Sequence, residues 1–324
     1  MLALVTGGTG FIGSHVCQRL RAEGHRVRVL ARPGNPAGNL EGLDVELVRG
    51  DLASAADLAR ACAGVDWVFH LAGALKGRRA EDLMRVNRDG TRRLVQACAD
   101  HAPGLARFLL VSSQAAGGPS PGGAQARAED DPPRPVSWYG ESKLEAERVV
   151  RDSGLPAVIL RPPVVFGPRD RDVLGFFRFA ARGWLPVPGG GERRYSLVFA
   201  PDLAGGLLRA ALTPCPPGSV FHLTGPAVTW ADFGRKIAAA LGRPGRVLPL
   251  PAPLVRAAGW GADQWAGLRG RAGIFSSQKV AEMLAPGWVA SPDKARRVLG
   301  WVAPTPLDQA LAATVAWYRN HGWI

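Results

Sequence analysis

The sequence predicts an α/β protein, with a doubly wound parallel sheet followed by a smaller, mostly helical C-terminal lobe. In the first half of the 324-residue chain, short apolar runs alternate with segments of helical periodicity. A glycine-rich turn separates the first apolar run from the first helical segment. After Arg161 the alternation ends, and Pro and Gly divide the chain into shorter elements. Because strands joined by helical crossovers run parallel, the first half should form a sheet covered on both faces.

Each predicted strand of the first half is a short apolar run, and each predicted helix repeats apolar residues at helical spacing. In the first helix Ile12, Val16 and Leu20 share one face, and Gly24 is suited to end it. The predicted strands are residues 2–6, 27–30, 45–48, 67–71, 108–112 and 157–160. The other predicted helices are residues 54–62, 81–99 and 138–152.

The second half is predicted to return to the sheet and then to form the smaller lobe. Residues 196–199 and 220–224 are strand-like, and a helix begins at Asp202. We therefore expect a sheet domain over residues 1–168, to which residues of roughly 195–225 return, and a substrate-binding lobe over 169–324. The tryptophans of this half are interpreted as core, with an apolar pocket as the alternative: Trp184, Trp230, Trp260, Trp265, Trp288, Trp301, Trp317 and Trp323.

Composition argues against several classes of protein. No apolar stretch approaches about 18 residues, so no membrane-spanning helix and no membrane partner are expected. No basic segment precedes the first strand, so no secretory leader is expected and the chain is predicted to be cytoplasmic. The four cysteines lie far apart, without the spacing of metal ligands, and predict neither a metal site nor a disulfide framework.

The charge balance is strongly basic, with a formal net charge of +13. Nearly all of the basic residues are arginines, and they are scattered along the chain rather than grouped in blocks. A nucleic-acid partner is therefore not expected, whereas a general attraction for anionic small molecules is.

The glycine-rich turn, Thr-Gly-Gly-Thr-Gly-Phe-Ile-Gly over residues 6–13, predicts a dinucleotide site. Its glycines allow a tight turn and a close approach of the backbone, and the helix that follows offers free N–H groups to a pyrophosphate. Strand, glycines and helix occur in the order of a Rossmann-type fold. The residues expected at the pyrophosphate are Gly7, Gly10, Phe11, Ile12 and Gly13.

The end of the second strand predicts which dinucleotide is bound. An acidic residue there would repel a 2′-phosphate, but this chain has Ala31 followed by Arg32. We interpret Arg32 as a partner of the 2′-phosphate of NADP; an ordinary surface arginine, with NAD as cofactor, is the alternative. Asp51 and Leu52 are expected at the adenine. Beneath the cofactor, the fourth strand should end at Leu71, Ala72 and Gly73.

Acid–base chemistry is predicted where Tyr139 and Lys143 lie four residues apart at the start of a helix. This spacing puts phenol and ammonium on one face, and a nearby positive charge should lower the pKa of the tyrosine. Ser113 follows the fifth strand, so its hydroxyl should lie at the edge of the sheet where such folds bind ligands.

Together these residues resemble the extended branch of the short-chain dehydrogenase/reductase superfamily, also called the NAD-dependent epimerase/dehydratase family. The resemblance covers nearly the whole chain. The motifs that carry it are TGGTGFIG from Thr6, HLAG from His70, VSS ending at Ser113, YGESK from Tyr139 and RPPVVFGP from Arg161. It implies a homodimer formed through the helices that hold Asn87 and Tyr139.

The resemblance also implies residue roles. Tyr139 would donate or accept the proton, Lys143 would hold the nicotinamide ribose and tune Tyr139, and Ser113 would bind the substrate oxygen. Asn87 would support the lysine region. The residues expected beside the nicotinamide carboxamide are Pro162 and Val165.

Substrate class is indicated by a departure from the family pattern. Nucleotide-sugar epimerases of this family usually carry an arginine where this chain has Tyr195, although Arg193 and Arg194 are close by. The segment is more similar to hydroxysteroid-dehydrogenase-like and dihydroflavonol-reductase-like members. The candidate substrate residues are Leu75, Lys76, Gln114, Phe166 and Tyr195.

The function predicted from the sequence is an NAD(P)-dependent oxidoreductase that interconverts a secondary alcohol and a ketone on a small, fairly apolar molecule. One alternative is a nucleotide-sugar epimerase or dehydratase with tightly bound NAD. The other is a cofactor-sensing or RNA-associated protein without catalysis, which the intact Tyr139–Lys143 pair disfavours.

Overall fold

A seven-stranded parallel sheet runs through the computed structural model, which describes residues 1–121, 125–190, 192–269, 273 and 275–324. The strands are β1 (Leu2–Thr6), β2 (Arg26–Ala31), β3 (Glu46–Arg49), β4 (Trp67–His70), β5 (Arg107–Val111), β6 (Ala157–Leu160), β7 (Val164–Phe166), β8 (Trp184–Pro188), β9 (Arg194–Phe199), β10 (Ser219–Phe221), β11 (Ala227–Thr229) and β12 (Arg246–Leu250). The helices are α1 (Phe11–Ala22), α2 (Ala55–Cys62), α3 (Ala80–Met84), α4 (Gly90–His101), α5 (Gln114–Gly117), α6 (Trp138–Arg151), α7 (Leu174–Ala181), α8 (Ala200–Leu212), α9 (Trp230–Leu241), α10 (Ala252–Arg269), α11 (Ser277–Leu284) and α12 (Leu307–Asn320).

The order of the strands creates the crevice in which such sheets bind ligands. The central sheet runs β10, β6, β5, β4, β1, β2, β3, and all of its pairings are parallel. From β1 the chain passes to β2 on one side and later to β4 on the other. The strand order therefore reverses at β1, and a crevice opens beyond the carboxyl ends of β1 and β4. The predicted fold class is confirmed.

Helices bury both faces of this sheet. All residues of β1, β4 and β6 are buried, as expected for strands covered on both sides. On one face Val16 of α1 and Leu207 of α8 belong to the same apolar core. On the other face α2, α4 and α6 contribute Leu58, Leu94 and Val150.

The helix predicted over residues 81–99 is interrupted in the structure. It consists of α3, a π-helical turn over Arg85–Asp89 and α4. The turn contains Asn87, whose side chain is buried and turned toward α6. Such π turns are common at functional sites, because they redirect a side chain without ending the helix.

The prediction that all of residues 195–225 return to the main sheet is corrected in part. Helix α8 does pack against α1, and β10 pairs with β6. Strand β9, however, lies in a separate sheet between β7 and β11. The position beside β6 is taken by β10, and β9 pairs with β7 and β11. The domain boundary at residue 168 stays a prediction.

The C-terminal part combines α7 and α9–α12 with short strands, including a two-stranded parallel sheet of β8 and β12. Trp288 and Trp301 are buried, as predicted. Trp260 and Trp265 of α10 are not core residues, because their side chains are largely exposed. Within the described ranges, no helix combines the length and apolar character needed to cross a bilayer. Nor do those residues include a group of His, Cys, Asp and Glu side chains arranged to hold a metal ion.

Candidate active site

A cavity of about 980 Å³ opens beyond the carboxyl ends of β1, β4, β5 and β6. The loops after these strands line the cavity, and so do Tyr195, Trp230 and Trp288. Most of the predicted site residues line it: Gly7, Gly10, Phe11, Ile12, Gly13, Leu71, Gly73, Leu75, Lys76, Ser113, Gln114, Tyr139, Lys143, Pro162, Val165 and Tyr195.

The glycine turn has the geometry of a pyrophosphate cradle. Gly7 has φ +76°, and a Cβ there would lie 2.8 Å from the backbone nitrogen of Ala72. A Cβ on Gly13 would collide with the carbonyl oxygen of Gly7. Gly10 is the N-cap residue of α1 and has no side chain that could cap the helix. The first turn of α1 carries no acidic residue. The N–H groups and the positive end of this helix are thus available to an anion, which fits a dinucleotide.

Tyr139 and Lys143 project from the first turns of α6 into the cavity. The helix begins where the Ser137 hydroxyl accepts a hydrogen bond from the backbone N–H of Gly140 at 3.1 Å. The Nζ of Lys143 donates to the carbonyl oxygen of Val111 at 2.7 Å. This bond anchors α6 to the end of β5, which Ser113 follows by two residues. The structure therefore brings all three predicted catalytic residues to one wall of the cavity.

Burial controls the protonation of this pair. It lowers the pKa of Lys143 to about 8, while the negative charge of Glu147 acts in the opposite direction. It raises the pKa of Tyr139 above its ordinary value, and the hydroxyl of Ser113 partly offsets that rise. The expected lowering of the pKa of Tyr139 is therefore not found, because burial of the phenol raises this pKa instead. The ammonium group of Lys143 is bonded to the carbonyl oxygen of Val111.

Behind Lys143 lies a buried ionic network that the sequence analysis missed. The carboxylate of Glu147 accepts hydrogen bonds from Ser112 Oγ at 2.6 Å, Arg161 Nε at 2.8 Å and Arg161 Nη2 at 2.7 Å. Arg151 Nη2 donates to it from the protein surface at 2.9 Å. Glu147 follows Lys143 by one helical turn, so the helical spacing that paired Tyr139 with Lys143 would also have indicated Glu147.

Asn87 and His70 support the floor of the site. Asn87 Oδ1 accepts from the N–H of Ala74 at 2.7 Å, and its Nδ2 donates to Ser142 Oγ at 2.8 Å. His70 lies between the hydroxyls of Thr6 and Thr91, at 2.6 and 2.9 Å from its two ring nitrogens. Burial, with a smaller contribution from the Lys143 charge, lowers the pKa of His70 to about 3. His70 is therefore neutral at physiological pH and acts as a hydrogen-bonding spacer.

The residues predicted to bind the adenosine half lie outside the cavity wall. Arg32 is exposed just beyond the end of β2. Asp51 follows β3 by two residues, and its Oδ1 accepts the N–H of Ala53 at 2.8 Å. Leu52 packs on the sheet core. Ala72, which was predicted beneath the cofactor, donates its N–H to Thr6 Oγ1 at 3.3 Å.

The predicted substrate residues fall into three different settings. Leu75 and Lys76 lie on an exposed part of the cavity wall. Gln114 is buried, and its Nε2 has no hydrogen-bond partner among the described residues. The hydroxyl of Tyr195 donates to the carbonyl oxygen of Met283 at 3.0 Å.

The structure corrects the prediction that Phe166 contacts the substrate. Phe166 does not reach the cavity, because its ring is buried between Phe199 and Phe233, with centroid distances of 5.8 and 5.7 Å. Val164 and Val165 of the same strand do line the cavity. Phe166, the last residue of β7, instead packs into the apolar core of the C-terminal part.

Comparison with known proteins identifies a family and relatives that match most of this chain. Residues 3–221 match the model of the NAD dependent epimerase/dehydratase family. The chain is 34% identical over 322 residues to a ceramide reductase of Caulobacter vibrioides, covering 99% of this chain and 95% of that protein. It is 30% identical over 339 residues to a putative dihydroflavonol 4-reductase of Synechocystis, covering 99% of this chain and 95% of that protein.

A solved structure extends the comparison to bound ligands. The structure of MoeE5 in complex with UDP-glucuronic acid and NAD has a TM-score of 0.76 and 26% sequence identity to this chain. The alignment covers 99% of this chain and 100% of that one. The same fold thus carries a nucleotide sugar and NAD in one relative, while two others are named as reductases.

Proposed function

Because the chain belongs to the NAD-dependent epimerase/dehydratase family, we propose that it is an NAD(P)-dependent oxidoreductase that interconverts a secondary alcohol and a ketone. The observation that carries the proposal is the placement of Ser113, Tyr139 and Lys143 on the wall of one cavity that begins at the glycine turn. This arrangement sets a proton donor, a hydroxyl group and a cation beside the cradle for a dinucleotide.

A bound nicotinamide supplies or accepts the hydride, and the residues of this chain handle the oxygen of the substrate. In ketone reduction, Ser113 donates a hydrogen bond to the carbonyl oxygen, and Tyr139 transfers its phenolic proton to that oxygen. The raised pKa of Tyr139 keeps the phenol protonated at neutral pH, which suits this direction. Lys143 supplies positive charge next to the phenolate that remains.

We propose a largely apolar substrate. Phe176, Trp230 and Trp288 line the cavity in the C-terminal part. Of the arginines near Tyr195, Arg193 donates to the carbonyl oxygen of Gly189 at 2.5 Å and Arg194 to that of Ala227 at 2.9 Å. Both guanidinium groups thus donate to the backbone, and of the two only Arg193 lines the cavity. The names of the two reductase relatives point in the same direction.

For the cofactor we propose NADP, with NAD as the alternative. Ala31, the last residue of β2, offers no carboxylate to repel a 2′-phosphate, and the exposed Arg32 follows it. An arginine at this place can form a charge-assisted hydrogen bond to the phosphate.

Nucleotide-sugar epimerisation is the second candidate, because Arg193 lines the same cavity and a structural relative carries UDP-glucuronic acid and NAD. In that reaction the hydride returns to the substrate, so nicotinamide absorbance shows no net change. A test incubates the protein and NADPH with long-chain 3-ketones, including the ketone analogue of a ceramide, and separately incubates the protein and oxidised NAD with UDP-glucose. We expect stoichiometric NADPH oxidation with a ketone; epimerised UDP-sugar without net oxidation would refute the oxidoreductase proposal.

We also propose a cytoplasmic homodimer formed through the helices that follow Asn87 and carry Tyr139. These helices, α4 and α6, pack side by side on one face of the sheet, as a shared interface requires. Light scattering during gel filtration tests this assembly. A monomer at micromolar concentration would contradict it.

A further inference from the structure

Helix α10 has two apolar sides, only one of which is covered by the protein. Val255 and Gly259 are its buried residues. Ala266 and Gly267, on the neighbouring side, line the active-site cavity. A helix of a globular protein normally turns polar residues to the outside. The outer side of α10 instead carries large apolar side chains.

We call these side chains the outer face of α10: Leu254, Trp260, Trp265 and Leu268. Their exposed fractions are 64%, 65%, 57% and 84%, respectively. Leu254 and Trp265 lie three turns apart at about 3.6 residues per turn, and Leu268 lies on the same side. Between them the surface is formed by the small residues Ala257, Ala258 and Gly261, with Gln264 as the polar exception. Exposed apolar surface of this extent on one element indicates a binding surface.

The charges around the outer face are mainly positive. Arg256 and Arg269 flank it, and the guanidinium carbon of Arg269 lies 4.3 Å from the centre of the Trp265 ring. Arg243 and Arg246 are exposed shortly before the helix. The acidic residue of α10, Asp263, lines the cavity and accepts the backbone N–H of Ser277. Tryptophan and leucine flanked by arginine are typical of helices that lie in the interface of an anionic bilayer.

We propose that the outer face of α10 docks the protein onto the surface of an anionic phospholipid bilayer. The helix would lie in the plane of the headgroups, which requires no membrane-spanning segment but departs from the expectation that the protein has no membrane partner. A second copy of this chain is a poorer occupant, because a symmetric contact would bring Arg256 and Arg269 of both copies together. Docked in this way, α10 would hold the cavity, which Asp263, Ala266 and Gly267 line, next to the bilayer.

The test is sedimentation of the full-length protein with vesicles, which needs neither cofactor nor substrate. Vesicles of equal parts phosphatidylcholine and phosphatidylglycerol are compared with vesicles of phosphatidylcholine alone. We expect binding to the anionic vesicles, a shift of tryptophan emission to shorter wavelength, and release by high salt. Leu268→Gln should weaken partitioning about tenfold, since it removes the burial of one leucine side chain in lipid.

Leu212→Gln is the matched control, because Leu212 is also an exposed leucine but lies at the end of α8. It should bind vesicles like the wild-type protein. The double variant Arg256→Glu/Arg269→Glu should lose the preference for anionic lipid while keeping the same circular dichroism spectrum. Absence of vesicle binding at low salt would overturn the proposal. So would equal losses in the two leucine variants, or a change from dimer to monomer in Leu268→Gln, which would assign the face to a second copy.

Discussion

The buried ammonium of Lys143 makes folding stability depend on pH in a way that one substitution can isolate. Burial lowers the pKa of Lys143 from 10.5 to about 8. Between these values the unfolded chain binds more protons than the folded protein, so stability rises with pH across this range. A shift of this size corresponds to about 3 kcal/mol at 1.36 kcal/mol per pKa unit. The folded protein carries this cost in full below pH 8, where the lysine is charged in both states.

The measurement is the free energy of unfolding in urea, for the wild-type protein and Lys143→Met, at several pH values between 7 and 10. Subtracting the two curves removes the contributions of all other titrating groups. We expect the wild-type protein to gain about 2–3 kcal/mol over the variant as the pH rises through this range. Lys279→Met is the control, because the Lys279 side chain is 51% exposed, and it should show no such gain. A difference between wild type and Lys143→Met that stays constant with pH would refute the assignment of a buried, destabilised ammonium.

Three further substitutions test the roles of single residues. Tyr139→Phe should lower turnover about 10²–10⁴-fold, the range of a positioned proton donor, and leave dinucleotide affinity unchanged in a titration. Arg32→Ala should weaken NADPH binding about 10–100-fold and leave NADH binding unchanged, and adding Ala31→Asp should reverse the preference; equal losses for both dinucleotides would contradict the 2′-phosphate contact. Glu147→Gln leaves Arg161 charged and buried, so it should reduce the free energy of unfolding by about 3–5 kcal/mol. Its control, Glu145→Gln, removes a partly exposed pair with Arg148 and should cost about 1 kcal/mol or less in the same urea titration.

Features of the site that follow from a fixed spacing along the chain could be predicted from the sequence. The glycine turn is predictable because the collision of a Cβ on Gly13 with Gly7 leaves no alternative residue. Tyr139 and Lys143 are predictable because four residues make one helical turn. Strands β1, β4 and β6 are predictable because strands buried on both faces have continuous apolar sequences.

Features that depend on residues distant in the sequence could not be predicted in this way. An apolar run such as that of β9 shows that a strand forms but not which sheet it joins, because that depends on partners distant in the sequence. The direction of the pKa shift of Tyr139 depends on how much water the rest of the fold excludes. The exposure of Trp260 and Trp265 could not be predicted either, because the sequence does not show whether the protein covers an apolar side chain.

Hydride transfer to an apolar ketone is tested most directly with NADPH that carries deuterium on the transferring face of the nicotinamide. The protein is incubated with this cofactor and the ketone analogue of a ceramide, and the product alcohol is analysed by mass spectrometry. We expect one deuterium on the carbinol carbon for each NADPH oxidised, and loss of this product in Tyr139→Phe. Deuterium that stays with the cofactor while the ketone is not reduced would contradict the assignment as an oxidoreductase.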